Sequence, residues 1–309
     1  MRRFAVLAAL LLVAGACGGE AAGPEGDEGR ARIGLSLSTL GNPFFVTLQE
    51  GAQGAADQAG AELIVADAQD DAQTQADDIQ NFITQQVDVI VVNPVDSAAI
   101  VPSVEAANQA EIPVVTVDRA SEGGEIAAHI ASDNVQGGRM AGEYLFEQIG
   151  GEGTVAQLEG IAGTSAAIDR GQGFQEALDA ATGVELVATQ TANFDRDEGF
   201  TVAQNIFQAN PDLNGVFAQN DEMALGAVEA AREAGTLEDL VIVGFDAIDD
   251  ALTAIQDGDM EGTIAQQPSE MGRLSVEAAA DIAADQQVEP ETLIEVLLVT
   301  PDNVEEFLR

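Results

Sequence analysis

Short apolar runs alternate with longer helical patterns along nearly the whole chain. The first half contains the runs ARIGLSL, ELIVAD, VDVIVVNP, IPVVTVD and EIAAHIAS, and the second half contains GTVAQLEG, VELVATQ, GVFAQN, DLVIVGFD and GTIAQQ. The stretches between them, such as residues 45–59, 71–86 and 221–234, are long enough for crossover helices. Strands that are nearly continuous in Val, Ile and Leu and are separated by helices indicate parallel sheets covered on both faces. Because there are two such series, the sequence predicts an α/β fold with two doubly wound lobes.

The N-terminal residues MRRFAVLAALLLVAGACGG have the layout of a secretory signal, with two arginines, an apolar stretch and small residues before Cys17. The apolar stretch is too short to span a bilayer as a mature helix. Cys17 is the only cysteine, which excludes an intramolecular disulfide, and the residues before it resemble a bacterial lipobox. We therefore expect a signal peptide over residues 1–16, lipidation of Cys17, and a flexible linker over residues 17–30. The expected location is the outer face of the cell membrane or the periplasm, in an envelope with either one or two membranes.

Charge and motif content exclude several classes of function. The chain has 54 acidic and 11 basic residues, and an excess of negative charge of this size excludes nucleic-acid binding. There is no lysine for a GxxxxGK[ST] loop, and the Gly-rich GIAGTSAA is interpreted as a tight strand-to-helix turn. There is no GxSxG motif, and the single histidine, His129, is interpreted as a structural strand residue. Without a His or Cys cluster we expect no metal or cofactor, and a binding protein rather than an enzyme.

Polar and aromatic side chains follow the predicted strands at the points where the strands end. In open parallel sheets, ligands bind just outside these carboxyl ends. The candidate residues are Asn42, Phe44, Phe45, Asn93, Asp118 and Arg119 in the first half, and Arg170, Phe194, Asn220, Asp246 and Gln266 in the second. A sugar suits this set, because amides, carboxylates and guanidinium groups match its hydroxyls and phenyl rings match its apolar faces. We expect the two rings after Gly41-Asn42-Pro43 to lie in a loop, from which they can enter a cleft.

Each of these residues also has a structural interpretation. Asp118 with Arg119, and Asp246 with Arg170, could form ion pairs across a domain interface. Asn220 could cap a helix that starts at the next residue. The case for a ligand site therefore depends on the full set.

Nine segments carry a resemblance to a known family: STLGNPFF, VVNPVDS, IPVVTVDR, HIASDNVQGG, GIAGTSAAIDRGQGF, ANFDR, VFAQNDEMALGA, VIVGFDA and TIAQQP. In this order and at these spacings they resemble the D-ribose binders of the pentose/hexose family of type I periplasmic binding proteins, from about residue 31 to about residue 299. The resemblance implies two lobes joined by three hinge crossings, near Ser132-Asp133, Gln266-Gln267 and Glu295. One lobe would comprise residues 31–132 plus 267–294, and the other residues 133–266 plus 295–309.

The resemblance also implies a role for each candidate residue. Phe45 would cover one face of the sugar, and Phe44 and Phe194 the other. Hydroxyl hydrogen bonds would come from Asn42, Asp118 and Arg119 on the first lobe, and from Arg170, Asn220 and Asp246 on the second. Gln266 would sit at a hinge crossing and also reach the sugar, and Asn93 would line the same cleft. Gly41 and Ile168-Asp169 depart from the family pattern without removing a proposed ligand.

The implied function is that of the extracytoplasmic solute-binding component of an ABC sugar importer. It would be a monomer without a cofactor that closes around D-ribose and delivers it to the permease and its ATPase. Allose, another pentose or a quorum signal derived from dihydroxypentanedione stay open as ligands, and a chemoreceptor stays open as a further partner. A sugar-responsive repressor is disfavoured by the export signal and the charge. A secreted sugar-modifying enzyme would need an acid/base pair, whereas Asp118 and Asp246 each have an arginine nearby that we expect to keep them ionised.

Overall fold

The computed structural model describes residues 30–308; the predicted signal peptide, Cys17 and all of the linker except Arg30 lie outside the described residues. The strands are β1 Arg32–Leu37, β2 Glu62–Asp67, β3 Val89–Val92, β4 Val114–Val117, β5 Ala128–Ser132, β6 Gly153–Glu159, β7 Val184–Thr191, β8 Gly215–Ala218, β9 Val241–Asp246, β10 Gly262–Ala265, β11 Glu291–Ile294 and β12 Leu297–Val299. The helices are α1 Pro43–Ala59, α2 Ala72–Gln85, α3 Val101–Gln109, α4 Asn134–Gln148, α5 Ser165–Ala180, α6 Arg196–Ala209, α7 Asp221–Ala234, α8 Asp249–Asp257 and α9 Pro268–Ala283. Each of these helices is too short or too polar to span a lipid bilayer.

The strands form two six-stranded sheets, with the orders β11-β5-β4-β3-β1-β2 and β12-β10-β9-β8-β6-β7. All neighbours are parallel except β12, which runs antiparallel to β10. We call the sheet that contains β1, with its packed helices, the first lobe, and the sheet that contains β6, with its packed helices, the second lobe. The predicted α/β fold with two doubly wound lobes is therefore confirmed, and all ten predicted strands are present. The edge strands β11 and β12 are absent from the predicted set.

The chain passes between the two sheets three times. It leaves the first lobe after β5, returns between β10 and α9, and crosses again between β11 and β12. The helix α9 packs on α1 of the first lobe, and α4 packs on α5 of the second. The residue boundaries inferred from the family resemblance stay a prediction.

Residue types at the strand ends explain where two of the helices begin. Asn42 Oδ1 accepts a hydrogen bond from the backbone N–H of Phe44 at 2.9 Å, and Pro43 occupies the first turn of α1. Proline is favoured there because a helix leaves its first N–H groups unpaired in any case. Asn220 caps α7 in a similar way, by accepting from the N–H of Met223 at 3.0 Å. Both helices therefore start at the carboxyl edge of a sheet.

One close helix contact in the second lobe positions a charged side chain. A Cβ atom at Gly138 of α4 would lie 2.1 Å from the carbonyl oxygen of Arg170 in α5. Any side chain at Gly138 would therefore push the two helices apart. Because Gly138 has no side chain, α4 and α5 pack closely, and Asn134 at the start of α4 lies within hydrogen-bonding distance of the Arg170 guanidinium.

Candidate functional site

A cavity of about 290 Å³ lies between the lobes, at the carboxyl ends of strands from both sheets. Its volume is at the small end of the range for ligand pockets in proteins. Ten of the eleven predicted site residues line it: Asn42, Phe44, Phe45, Asp118, Arg119, Arg170, Phe194, Asn220, Asp246 and Gln266. The structure therefore brings residues separated by more than 200 positions to one place.

Asn93 is the exception, because it lies behind the wall of the cavity. It is fully buried, and its Oδ1 accepts from the N–H of Ser38 at 3.2 Å. Its Nδ2 donates to the carbonyl of Val117 and to Asp118 Oδ2, both at 3.1 Å. Asn93 thus orients the Asp118 carboxylate and does not itself face the cavity.

Three phenyl rings contribute the apolar surface. Phe44 and Phe45 lie in the first turn of α1, where they are buried, and not in the loop that we expected. Their rings make an edge-to-face pair with centroids 5.1 Å apart. The third ring, Phe194, lies over Gly160, where a Cβ atom would be 1.9 Å from the ring. The turn formed by GIAGTSAA therefore makes room for this ring.

Five residues of the cavity wall have left-handed backbone: Asp70 with φ 56°, Asp118 with φ 62°, Asn193 with φ 52°, Phe194 with φ 60° and Asp246 with φ 124°. Such conformations cost about 1–3 kcal/mol each in residues other than glycine. Two of them, Asp118 and Asp246, lie at or next to the end of a strand. At these points the chain turns abruptly and directs side chains into the space between the lobes.

The first lobe contributes the pair Asp118 and Arg119. Arg119 Nε lies 3.8 Å from Asp118 Oδ2, and Arg119 Nη1 donates to the carbonyl of Pro94 at 3.2 Å. Within residues 30–308, neither Asp118 Oδ1 nor Arg119 Nε has a hydrogen-bond partner, although both atoms are buried. The guanidinium of Arg119 also lies between two rings, 5.4 Å from the centroid of Phe45 and 5.5 Å from that of Phe194.

The second lobe contributes the pair Arg170 and Asp246, with Arg170 Nη1 3.7 Å from Asp246 Oδ1. Arg170 Nε donates to Asn134 Oδ1 at 2.8 Å, and Arg170 Nη1 donates to the carbonyl of Gln219 at 2.6 Å. The guanidinium also stacks on the ring of Phe245, with its carbon 3.8 Å from the centroid. Each ion pair therefore lies within one lobe and does not cross the interface.

The two amide side chains among the candidate residues of the second half, those of Asn220 and Gln266, have structural partners as well. Asn220 caps α7, as one of the two interpretations predicted, and its Nδ2 donates to the carbonyl of Phe194 at 3.1 Å. Gln266 Nε2 donates to Asp246 Oδ1 at 2.7 Å, and Gln266 Oε1 accepts from Ser132 Oγ at 2.7 Å. Both amides retain hydrogen-bonding capacity towards the cavity that they line.

The carboxyl groups of the cavity bind protons more tightly than we expected. Burial raises the pKa of Asp246 to about 7, although the Arg170 guanidinium and the Gln266 hydrogen bond lower it. Burial also raises the pKa of Asp118, against the effect of Arg119 and Arg170. The expectation that neighbouring arginines keep both groups fully ionised is thus wrong for Asp246, because desolvation outweighs the Coulomb attraction.

The sequence patterns missed the residues at the mouth of the cavity. Asp70, Asp195, Asp197, Glu222 and Arg196 line it. Asp70 follows the end of β2, so the strand-end rule could have found it, while the others lie close to Phe194 or Asn220 in the chain. Arg196 Nε donates to Glu222 Oε2 at 2.6 Å. Since one arginine faces four carboxyl groups, the rim of the cavity is mainly acidic. In the described part of the chain, no cluster of three His, Cys, Asp or Glu side chains is arranged to hold a metal ion.

The lobes also contact each other directly beside the cavity. The N–H of Ala120 donates to Ser165 Oγ at 2.8 Å, and the N–H of Ser165 donates to Ser97 Oγ at 3.2 Å. Ala120 and Ser97 belong to the first lobe and Ser165 begins α5 of the second. The structure therefore describes the two lobes closed on each other.

Comparisons with known proteins agree with this architecture. Residues 33–287 match the model of the family described as periplasmic binding protein domain. The chain is 45% identical over 264 residues to the ribose import binding protein of Bacillus subtilis (strain 168), covering 85% of each protein. A solute-binding protein of an ABC transporter from Bacillus halodurans C-125, solved with bound myo-inositol, aligns with a TM-score of 0.87 and 35% identity over 92% of this chain and 99% of that one.

A second solved relative is a periplasmic solute-binding protein of an ABC transporter from Actinobacillus succinogenes 130z, with bound D-allose. It aligns with a TM-score of 0.84 and 31% identity, covering 90% of this chain and all of that one (100%). The family model spans most of both lobes, and the identity to the B. subtilis protein extends over most of both chains. The chain therefore belongs to the periplasmic binding protein family.

Proposed function

We propose that this protein is the extracytoplasmic solute-binding component of an ABC sugar importer and that it binds one monosaccharide, D-ribose first among the candidates, in the interlobe cavity. The observation that carries the proposal is the cavity itself. Three phenyl rings and two charged pairs from both lobes line a space of about 290 Å³. The name of the B. subtilis relative supports ribose as the ligand, and the D-allose bound to the A. succinogenes relative makes allose the second candidate.

The aromatic residues are proposed to contact the two apolar faces of the sugar ring. Phe45 would cover one face, and Phe44 and Phe194 the other. A pyranose has C–H groups on both faces, and burying them against phenyl rings contributes about 25 cal/mol per Å² of apolar area. The positions of these rings in the cavity wall support the assignment.

The polar residues are proposed to bind the hydroxyl groups. Asp118 and Asp246 would accept from them, Arg119 and Arg170 would donate, and Asn42, Asn220 and Gln266 could do both. Asp118 Oδ1 and Arg119 Nε are buried without a hydrogen-bond partner in residues 30–308, which supports a role towards a ligand. Asn93 is proposed to act through Asp118, since the two side chains share a hydrogen bond of 3.1 Å.

Closure is proposed to couple binding to transport. Both lobes contribute polar groups to the cavity, so a ligand makes its full set of contacts only when the lobes are closed. The sugar would thereby shift the protein towards the closed form by its preference for that form. The permease would then bind the closed, loaded form in preference to the open one.

Isothermal titration calorimetry of the purified mature chain tests the proposal. We expect saturable one-to-one binding of D-ribose, weaker binding of D-allose, and no heat from a disaccharide. A panel of pentoses, hexoses and myo-inositol ranks the remaining ligands. Absence of binding to every monosaccharide in the panel would overturn the proposal.

We also propose that the protein binds sugar without converting it, is a monomer, and is exported and anchored through a lipid on Cys17. The relatives are transport proteins, which supports binding without turnover. Proton NMR of D-ribose incubated with the protein would reveal any product. Incorporation of labelled palmitate into the wild type but not into Cys17→Ser would test the anchor, and light scattering the monomer.

A further inference from the structure

Five residues at the hinge form a closed ring of polar contacts. Ser132 Oγ donates to Gln266 Oε1 at 2.7 Å, and Gln266 Nε2 donates to Asp246 Oδ1 at 2.7 Å. Asp246 Oδ1 faces Arg170 Nη1 at 3.7 Å, and Arg170 Nε donates to Asn134 Oδ1 at 2.8 Å. Asn134 Nδ2 donates to the carbonyl oxygen of Ser132 at 3.3 Å, which returns the ring to its start.

The chemistry of the charged members determines the direction of every contact. A carboxylate only accepts hydrogen bonds, so the Gln266 atom that faces Asp246 must be the amide nitrogen. The Gln266 oxygen then faces Ser132, which must donate its hydroxyl proton. A guanidinium only donates, so the Asn134 atom that faces Arg170 must be the oxygen, and its nitrogen faces the carbonyl of Ser132. The orientations of both amides therefore follow from the charges of Asp246 and Arg170.

Ser132 is the member of the ring that belongs to the first lobe. It ends β5, at the point where the chain leaves the first sheet, and it is 2% exposed. The other four members belong to the second lobe or to the end of its strand β10. The hydroxyl and carbonyl of one residue at a crossing therefore support both charged groups that the second lobe directs into the cavity.

We infer that Ser132 and Asn134 are positioning residues of the sugar site, which hold the Asp246 carboxylate and the Arg170 guanidinium in place without touching the sugar. Neither residue lines the interlobe cavity. The roles of Gln266 and Arg170 as sugar contacts rest on the proposed function; the ring itself does not. Loss of the Ser132 hydroxyl leaves the Gln266 oxygen buried without its donor, so the amide loses one of the two hydrogen bonds that fix its position beside Asp246.

The experiment compares Ser132→Ala with Ser132→Thr. Threonine keeps the hydroxyl, and its additional methyl group has space because Ser132 borders a second cavity of about 130 Å³. Ser275→Ala is the matched control, since Ser275 is also buried and its hydroxyl donates to the carbonyl of Gly272 within α9, away from the ring. Asn134→Ala breaks the ring on the Arg170 side and provides a second test if Ser132→Ala does not fold.

The first readout needs no sugar. The Asp246 carboxyl is titrated by carbon-13 NMR in the ligand-free protein, where its surroundings include Arg170, Asp118, Asp221 and Glu222. We expect the titration midpoint to rise in Ser132→Ala, because the carboxylate loses a fixed donor, and to be unchanged in Ser132→Thr and Ser275→Ala. A purely structural role of Ser132 would lower the melting temperature and leave this midpoint in place.

The second readout is the affinity for D-ribose. We expect it to fall about tenfold in Ser132→Ala and in Asn134→Ala, and to stay within about twofold of the wild type in the threonine variant and in the control. An unchanged midpoint and affinity in Ser132→Ala would overturn the inference, as would a threonine variant that behaves like the alanine one. If the wild type binds no sugar, the proposed function fails, while the NMR titration still decides the inference.

Discussion

In the second lobe Arg170 donates hydrogen bonds to Asn134 and Gln219 and stacks on Phe245. In the first lobe, among the described residues, Arg119 donates only to the carbonyl of Pro94 and leaves its Nε without a hydrogen bond. The carboxylates differ in a similar way. Asp246 accepts from Gln266 through the same oxygen that faces Arg170, while Asp118 Oδ1 has no hydrogen-bond partner in residues 30–308.

This contrast indicates a division of roles between the lobes. The charged groups of the second lobe are held rigidly by direct hydrogen bonds and a ring stack within that lobe, with further support from Ser132 at the crossing, so they also contribute to folding. The first lobe has buried polar atoms, Asp118 Oδ1 and Arg119 Nε, that lack a hydrogen bond in residues 30–308. A ligand that binds to these atoms would supply the missing hydrogen bonds. If this is correct, substitutions in the second lobe should affect stability and binding together, and those in the first lobe should affect mainly binding.

The largest effect is expected for Arg170→Ala. The change removes two buried hydrogen bonds and leaves the Asp246 carboxylate without its cationic partner, which typically costs about 3–5 kcal/mol of the free energy of unfolding. Sugar binding should be lost as well. Urea unfolding and calorimetry measure the two quantities, and normal stability in this variant would contradict the rigid support of the second lobe.

For Asp118→Ala we expect a loss of about 2 kcal/mol in sugar binding but a smaller loss of stability than in Arg170→Ala. The carboxylate makes one hydrogen bond, from Asn93, and lies 3.8 Å from Arg119 Nε. Unfolding curves of the two variants recorded side by side give the comparison. Equal losses of stability would remove the distinction between the lobes.

The third prediction concerns pH. Asp246 has a pKa of about 7 in the folded protein, against an ordinary value of 3.8. Between about pH 4 and pH 7 the folded state keeps a proton that the unfolded state has released, so the free energy of unfolding contributed by this group falls as pH rises, by about 2 kcal/mol from pH 5 to pH 7. Urea unfolding of the wild type and Asp246→Asn at pH 5 and pH 8 tests this. The variant should show the flatter dependence, and parallel curves would contradict the prediction.

The smallest effect is expected for Gly160→Ala. A methyl group there would overlap the ring of Phe194 and displace it, which should weaken sugar binding by about 1 kcal/mol. Gly54→Ala is the control, because a Cβ atom at Gly54 of α1 meets no atom within 4 Å and should stabilise the helix by roughly 0.5–1 kcal/mol. Equal affinity of the two variants, measured by calorimetry, would place Phe194 outside the binding contacts.

The ten main strands and the edge that holds the cavity could be predicted, because buried parallel strands are continuous apolar runs and their ends mark the ligand edge. Strands β11 and β12 could not, since they are only four and three residues long and begin with exposed side chains. The signal Asn42-Pro43 indicated a turn but equally fits a helix cap followed by a first-turn proline, and the structure has the helix.

The supporting contacts of the site were beyond the sequence patterns for a physical reason. Asn93 follows a strand like the other candidates, yet its side chain points to Asp118 and not to the cavity. The bond between Ser132 and Gln266 joins residues 134 positions apart. Such pairings depend on the distance between two strand ends in different sheets, and no periodicity along the chain encodes that distance.

The hydrogen bonds from Ala120 to Ser165 and from Ser165 to Ser97 join the lobes without using any side chain of the cavity wall. Because neither bond involves a ligand, both can form in an unoccupied molecule, and we expect them to favour a basal fraction of closed, empty protein. A membrane partner that recognises only the closed conformation would also bind this empty, closed fraction. The difference between the transporter's activity without sugar and its activity with sugar would then depend on these two hydrogen bonds as much as on the affinity for the sugar.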